Sequence, residues 1–61
     1  MKTSELTRLI KKQGCHILRH GSEHDEWINP RTGRSTYIPR HPSKELPTGT
    51  ARKILKDLGL K

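Results

Sequence analysis

Four histidines and one cysteine are the residues of this sequence with the widest chemical repertoire. They are Cys15, His16, His20, His24 and His41. Histidine titrates near neutral pH, so it can act as a general base or acid, and it is also a common metal ligand. A lone cysteine at the start of a predicted strand is more typical of a small buried apolar residue than of a nucleophile.

The spacing of the histidines tests whether they bind a metal. His16, His20 and His24 recur every four residues, which would line one face of a helix. Gly14 and Gly21 interrupt this stretch, and its composition favours strands, in which four residues span about 13 Å. Zinc requires ligands at roughly 2 Å, and no paired cysteine motif supplies the rest of the site. The sequence therefore predicts no metal site and no cofactor.

His24 has distinctive surroundings in the stretch GSEHDEW, residues 21–27. It is interpreted either as an ordinary surface histidine at a turn or as a catalytic base. Carboxylates beside it would stabilise the protonated imidazole and repel a phosphate. Alternation along a strand would send Glu23 and Asp25 to the opposite face and leave Glu26 on the face of His24, where it could orient the ring. Trp27 would then point into the core.

Two other histidines have weaker roles in this scheme. His20 precedes the Gly21–Ser22 turn and could approach His24 across a hairpin as a second acid. His41, in the stretch PRHP, is interpreted as loop structure or as a neighbour of a bound phosphate.

The first element that positions these residues is a helix in TSELTRLIKKQG. The apolar residues at helical spacing are Leu6, Leu9 and Ile10. Thr3 or Ser4 is predicted to cap its start, and Gly14 to end it.

Three strands are predicted next, because β-branched and aromatic residues become frequent between turn signals. Their expected ranges are 15–20, 24–29 and 34–39. The turn signals are Gly21–Ser22 and the stretch NPRTG at 29–33, and Pro39 and Pro42 end the third strand.

A second helix is predicted from about Thr48 to Leu58, closed by Gly59. Its apolar face consists of Ala51, Ile54, Leu55 and Leu58. The element order is therefore α-β-β-β-α. We predict an α+β fold in which both helices cover one face of a three-stranded antiparallel sheet, as in the double-stranded-RNA-binding domain.

Length and composition restrict the class of protein. The 61 residues predict one small domain, 1–61, with 28% apolar residues and a limited core. A single cysteine allows no internal disulfide, and the start MKTSELTRLIKKQG does not resemble a signal peptide. No stretch has the roughly 20 apolar residues that span a membrane. The expected location is the cytoplasm, with no membrane partner.

The charge favours a polyanionic partner. Thirteen Lys and Arg against six Asp and Glu give a net charge of +7, which favours nucleic acid binding. The candidate RNA-binding residues are Lys11, Lys12, Arg34, Arg40, Lys44 and Arg52. A solvated helix face is the alternative interpretation of the helical cations, and it is adopted for Lys56. Arg40 and Lys44 lie in a proline-stiffened loop, where a phosphate contact is also expected.

The sequence resembles the HicA toxin family along nearly its whole length. The resemblance rests on KTSELTRLIKKQG, GSEH, STYIPRHPSKEL and GTARKILKDLGL. It implies a metal-independent endoribonuclease that cleaves mRNA, with a HicB-type antitoxin as its protein partner. It also implies that one histidine after a Gly-Ser turn is catalytic, and His24 matches that position. The acids around His24 depart from many members of the family, and an attenuated enzyme is the alternative that they imply.

Two other functions remain open at this point. One is a non-catalytic module that binds double-stranded RNA by its shape and backbone charge. The other is a small adaptor that uses its charge only for a protein partner. Replacing His24 discriminates the enzyme from the binding module, because a binding module would tolerate the change and an enzyme would not. A salt-insensitive failure to bind RNA would point to the adaptor.

Overall fold

The computed structural model describes residues 1–60 and contains two helices and three strands. The elements are α1 (Thr3–Lys12), β1 (His16–His20), β2 (His24–Asn29), β3 (Arg34–Pro39) and α2 (Thr48–Asp57). The strands form one antiparallel sheet in the order β1-β2-β3. The predicted fold class is confirmed. The bounds of β2 and β3 are as predicted, and β1 and the end of α2 differ from the prediction by one residue.

Both helices pack on one face of this sheet. The buried apolar cluster consists of Leu6, Ile10, Cys15, Trp27, Ile38, Leu46, Ile54 and Leu58. Along β2 every second residue is buried, namely Asp25, Trp27 and Asn29, so these side chains face the helices. The predicted core positions of Trp27 and Cys15 are confirmed, and burial raises the pKa of the Cys15 thiol. The other face of the sheet carries no helix among residues 1–60.

The start of α1 differs from the prediction. The N-cap residue is Lys2, and neither Thr3 nor Ser4 caps the helix. The Glu5 carboxylate accepts the backbone N–H of Lys2 at 2.9 Å, which satisfies one of the free donors at this end. The Thr3 hydroxyl is buried and donates to the carbonyl of Lys44 at 3.1 Å. It is therefore used to hold a distant loop.

That loop, residues 40–47, connects β3 to α2 and is fastened to the start of the chain. The Thr3 N–H donates to Lys44 O at 2.9 Å, and the Leu46 N–H donates to Met1 O at 2.8 Å. Leu46 itself is buried in the core. The loop is therefore fixed at its far end, which helps to place Arg40 at its beginning.

The end of α2 is joined to the β2–β3 turn by polar contacts. The Asn29 side-chain amide donates to Leu58 O at 2.9 Å, and the Thr32 hydroxyl donates to the same oxygen at 3.1 Å. Asn29 is almost fully buried. These bonds satisfy a carbonyl that the helix end would otherwise leave free. Neither helix of the described chain is long or apolar enough to cross a membrane.

Candidate active site

His24 is the first residue of β2, directly after the β1–β2 turn at residues 21–23. It is exposed, and Asp25 after it is buried. His24 therefore projects from the face of the sheet that the helices do not cover. Within residues 1–60 its side chain makes no hydrogen bond or ion pair with another group.

The uncovered face is defined by the strand register. Directly opposed residues on antiparallel strands point to the same face. His24 lies opposite Pro39, Glu26 lies opposite Tyr37 and Arg19, and Ile28 lies opposite Ser35 and His16. We call this surface the open sheet face: its members are His16, Arg19, His24, Glu26, Ile28, Ser35, Tyr37 and Pro39.

The turn before His24 requires glycine at its first position. The Gly21 N–H donates to the His24 carbonyl at 2.8 Å. A Cβ atom on residue 21 would lie 2.5 Å from that carbonyl oxygen, which is closer than any ordinary van der Waals contact. Gly21 therefore allows a tight turn that sets the position of the His24 backbone.

Arg40 fastens the same turn from the other side. Its backbone N–H donates to the Glu23 carbonyl at 3.2 Å. Its guanidinium donates through Nη2 to the Gly21 carbonyl and to Asp25 Oδ1, the latter at 3.0 Å, and through Nε to Asp25 Oδ1 at 3.2 Å. Arg40 thus contacts residues before and after His24 and fixes the backbone that carries it.

Asp25 is the acceptor at the centre of this arrangement. Its carboxylate is nearly buried and accepts His20 Nδ1 at 2.8 Å as well as Arg40. The hydrogen bond with His20, followed by that with Arg40, holds the pKa of Asp25 below its ordinary value. A buried carboxylate is stable when cationic or hydrogen-bonding partners balance its charge. His20 and Arg40 provide that balance for Asp25, and His24 does not take part.

The partner of His20 differs from the one expected from the sequence. A β-bulge between Ile17 and Arg19 shifts the register, so that Arg19 lies opposite Glu26 and His20 lies opposite Asp25. Because a bulge adds one residue to one strand, it reverses which side chains face the helices beyond it. His20 therefore turns towards Asp25 on the helix-covered side, away from His24. The prediction that it approaches His24 across the hairpin is wrong.

Glu26 lies on the face of His24, as alternation predicted, but it has other partners. Its carboxylate binds Arg19 Nε at 2.9 Å and accepts the Ser35 hydroxyl at 3.0 Å. It does not orient the His24 ring. Glu23 lies in the turn, outside the strand, so strand alternation does not apply to it.

The six cations predicted to bind RNA do not form one cluster around His24. Arg40 is adjacent to it through the turn. Arg34 begins β3 opposite Asn29, five residues along the sheet from His24, which is about 17 Å. Lys11 and Lys12 end α1 on the helix side, where Lys11 Nζ lies 5.8 Å from the centre of the Trp27 ring. Lys44 and Arg52 are exposed in the loop and on α2.

The site is an open surface. A groove of about 230 Å³ lies between the helices and is lined by Leu9, Gln13, Leu55 and Leu60, on the opposite side of the sheet from His24. Among the described residues, no three His, Cys, Asp or Glu side chains lie together so as to hold a metal ion. The arrangement places the imidazole of His24 beside a turn held by hydrogen bonds. Such a group can exchange a proton with a large substrate that lies on the surface.

Comparison with known proteins identifies the family. A family model described as the HicA toxin of bacterial toxin-antitoxin systems matches residues 3–60. The chain belongs to the HicA toxin family. The resemblance seen in the sequence is therefore confirmed.

Relatives of similar length support this assignment. The chain is 42% identical to a probable mRNA interferase HicA of Photorhabdus laumondii, and the match covers 100% of both chains. It is 40% identical to one of Pseudomonas fluorescens, covering 100% of this chain and 98% of the relative. It is 39% identical to a probable mRNA interferase toxin HicA of Escherichia coli, covering 98% of both.

A solved structure has the same fold. It is the crystal structure of the E. coli HicAB toxin-antitoxin complex, in which one chain matches with a TM-score of 0.84 and 37% identity. The match covers 98% of this chain and 100% of that one. The HicA fold is thus shared over essentially the whole length.

Sequence reasoning missed Tyr37 and Arg19, which share the open sheet face with His24. It named Asp25, His20 and Arg40 but not the cluster that they form behind His24. Alternation in β3 next to the buried Ile38 could have placed Tyr37 on the surface. The partners of Asp25 depend on the bulge in β1, for which the sequence has no glycine or other clear signal.

Proposed function

We propose that this chain is a toxin endoribonuclease that cleaves mRNA without a metal ion, with His24 acting on the 2′-hydroxyl. We further propose that a HicB-type antitoxin inhibits it. The observation that carries the proposal is the exposure of His24 together with its lack of side-chain partners. His24 is exposed, free of side-chain partners within residues 1–60, and mounted on a turn that Gly21 and Arg40 fix.

The chemistry needs few protein groups because RNA supplies its own nucleophile. Neutral His24 accepts the proton of a 2′-hydroxyl, and the 2′-oxygen attacks the adjacent phosphorus. The bond from phosphorus to the 5′-oxygen breaks, and that oxygen leaves with a proton from the imidazolium or from water. The products are a 2′,3′-cyclic phosphate and a 5′-hydroxyl. One acid–base group contributes about 10² to 10⁴ in rate, so we expect slow turnover.

We propose that Arg40 stabilises charge on the phosphorane, because its guanidinium binds both the turn before His24 and the residue after it. Its side chain is roughly half exposed although two of its nitrogens are bound to Asp25 and Gly21. Nη1 makes no hydrogen bond within residues 1–60 and can donate to a phosphate oxygen. Lys11, Lys12, Arg34, Lys44 and Arg52 lie farther from His24 in this scheme and would bind the more distant backbone of the RNA.

The acids around His24 do not argue against activity. Asp25 is bound by His20 and Arg40, and Glu26 is bound by Arg19 and Ser35. The negative charges of Asp25 and Glu26 are therefore balanced by their own neighbours. Glu23 remains as an exposed acid in the turn, and it is the one that a phosphate would approach.

The partners follow from the family and the charge. The relatives are named mRNA interferases, and the solved neighbour is a toxin-antitoxin complex. An acidic antitoxin would associate rapidly with a chain of net charge +7. We expect it to cover His24 and the cations near it. Because mRNA is the substrate in this proposal, the site of action is the cytoplasm.

The substrate's 2′-hydroxyl gives a direct test of the mechanism. The purified chain should cleave an RNA oligonucleotide and leave 2′,3′-cyclic phosphate ends. It should not cut the same oligonucleotide with a 2′-deoxy residue at the cleavage position, although it should still bind it. Cleavage of the deoxy substrate, or 5′-phosphate ends, would overturn the mechanism. Binding without any cleavage of the all-ribose substrate would favour the non-catalytic RNA-binding module.

A further inference from the structure

We propose that the open sheet face binds single-stranded RNA, and that a base next to the cleaved phosphate stacks on Tyr37. This inference rests on the proposed function and adds the class of substrate and the residue that recognises it. It places the nucleotides next to the cleaved phosphate on the sheet, while the cations on the helices remain available to more distant backbone.

Tyr37 lies close to His24 on the open sheet face. It lies opposite Glu26, two residues before Pro39, which lies opposite His24. Tyr37 and His24 are therefore diagonal neighbours on the same face, with Cβ atoms about 7 Å apart, within reach of long or aromatic side chains. A nucleotide whose phosphate lies at His24 would have its own or an adjacent base over Tyr37.

The Tyr37 ring is exposed to solvent and free to contact a ligand. The chain has one Trp, one Tyr and no Phe. The two rings differ in environment: Trp27 is 4% exposed in the core, whereas Tyr37 is 63% exposed. In a chain with so few apolar residues, an exposed aromatic ring in the middle of the edge strand β3 contributes little to the core. Its flat surface suits stacking against a base, an interaction that tolerates any base identity.

The charged residues of the open sheet face are compatible with a bound phosphate. Glu26 is the acid among its members, and both of its oxygens are occupied, one by Arg19 and one by Ser35. Arg19 contacts it through Nε, and its side chain is 72% exposed. The outer nitrogens of Arg19 can therefore bind a phosphate while the salt bridge holds its stem. The face combines an aromatic ring, a cation and an imidazole, which match the base, the phosphate and the 2′-hydroxyl.

A single strand fits this face better than a duplex. In a duplex the flat surfaces of the bases are covered by their neighbours, and proteins recognise it by shape and by contacts to phosphates and 2′-hydroxyls. An exposed aromatic ring has nothing to stack on there. Attack by the 2′-oxygen on phosphorus also requires that oxygen to line up with the leaving oxygen, which an unstacked nucleotide permits.

Binding should be measured in the His24→Ala background, so that the RNA is not cleaved and the result does not depend on catalysis. The probes are a short single-stranded RNA of mixed sequence and the same RNA annealed to its complement. Tyr37→Leu should weaken binding of the single strand roughly 5- to 150-fold, which corresponds to the loss of one stacked base. Tyr37→Phe should bind like the parent, because it keeps the ring.

Leu9→Ala is the matched control, because Leu9 is an exposed apolar residue on the helix side. It should leave binding of RNA unchanged. The inference is overturned if Tyr37→Leu binds the single strand as tightly as the parent. It is also overturned if the duplex binds more tightly than the single strand, or if Tyr37→Leu weakens only the complex with a HicB-type antitoxin.

A second variant reports contact at this position. Tyr37→Trp places an exposed indole on the open sheet face, and its fluorescence should change as single-stranded RNA binds. The parent, which has only the buried Trp27, gives the baseline. Saturation with RNA and no change beyond that baseline would place the RNA on another surface. If RNA stacks at position 37 but the parent does not cleave it, the proposed function fails and the binding inference stands.

Discussion

Asp25 Oδ1 lies 2.8 Å from Nδ1 of His20 on the helix-covered side of β2, whereas His24, its neighbour in sequence, projects from the open side. The pairing depends on the bulge in β1, which aligns His20 with Asp25. In the sequence, Asp25 looks harmful to the histidine that we propose as catalytic; in the structure, it is part of the cluster that supports the turn before that histidine. Several measurable consequences depend on this arrangement.

Asp25 should make the stability of the protein sensitive to acid. Its pKa is lowered in the folded state by His20 and Arg40, so it stabilises the fold at neutral pH and loses that effect as the pH falls through its folded pKa. In Asp25→Asn the free energy of unfolding should be lower at pH 7 and should decline less on acidification. Urea denaturation between pH 7 and about pH 2 measures both curves.

The two curves should converge at low pH, where Asp25 of the parent is protonated. Glu45 and Asp57 also have lowered pKa values, so Asp25→Asn should retain part of the decline. Glu23→Gln is the control, because Glu23 is exposed and its side chain makes no ion pair among residues 1–60. A constant difference between the parent and Asp25→Asn at every pH would contradict the account.

Arg40 should position His24 as well as supply charge. Arg40→Lys keeps the positive charge but loses the fork that reaches Asp25 and the Gly21 carbonyl together. A displacement of about 1 Å at a reacting group can cost around 10²-fold in rate, and we expect a loss approaching that size in kcat. Single-turnover cleavage assays measure it.

Arg34→Lys is the matched control for this test, since Arg34 lies at the other end of the β2–β3 hairpin. It should change cleavage little. If Arg40→Lys cleaves RNA at the parent rate while Arg40→Ala does not, then Arg40 acts only through its charge and the positioning role is wrong.

Gly21 should be intolerant of a side chain. Gly21→Ala places a Cβ atom 2.5 Å from the His24 carbonyl oxygen, so the turn must shift, at a cost of roughly 1–3 kcal/mol in the free energy of unfolding. Cleavage should fall as well, because the turn carries His24. Gly49→Ala, in the first turn of α2 with open space around it, should be neutral or stabilising by up to about 1 kcal/mol. Equal effects of the two changes would contradict this role of Gly21.

Asn29 should be important for stability although it lies far from His24. Asn29→Ala removes the amide that donates to Leu58 O and the oxygen that accepts the Arg31 N–H. Loss of buried hydrogen bonds costs about 1–3 kcal/mol, which urea denaturation should detect. Thr50→Ala, at an exposed position of α2, should stay within about 0.5 kcal/mol of the parent. An unaffected Asn29→Ala would mean that α2 does not depend on this contact.

Much of the fold was predictable because local patterns and global packing agree. The helical spacing of Leu6 and Ile10, the turn at Gly21 and the alternation around Trp27 each specify one arrangement. The cap of α1 was not predictable, since the Thr3 hydroxyl bonds to a residue 41 positions away. A local rule cannot account for a partner that is brought close only by the tertiary fold.

The site was predictable only in part, for a related reason. The place of His24 on the strand followed from the turn and the alternation. The partners of the neighbouring acids followed from the register of β1, and a single extra residue at the bulge reverses which side chains face the helices. Without the bulge, His20 would share the face of His24, as the sequence had suggested.

The most direct test of the account is RNA cleavage in excess EDTA by the parent, His24→Ala and His16→Ala, with folding of each confirmed by circular dichroism. His16 is the matched control, because it is an exposed histidine at the other end of the open sheet face. The account predicts that His24→Ala loses about 10²- to 10⁴-fold in rate and that the parent and His16→Ala cleave alike. A folded His24→Ala that cleaves at the parent rate would contradict it.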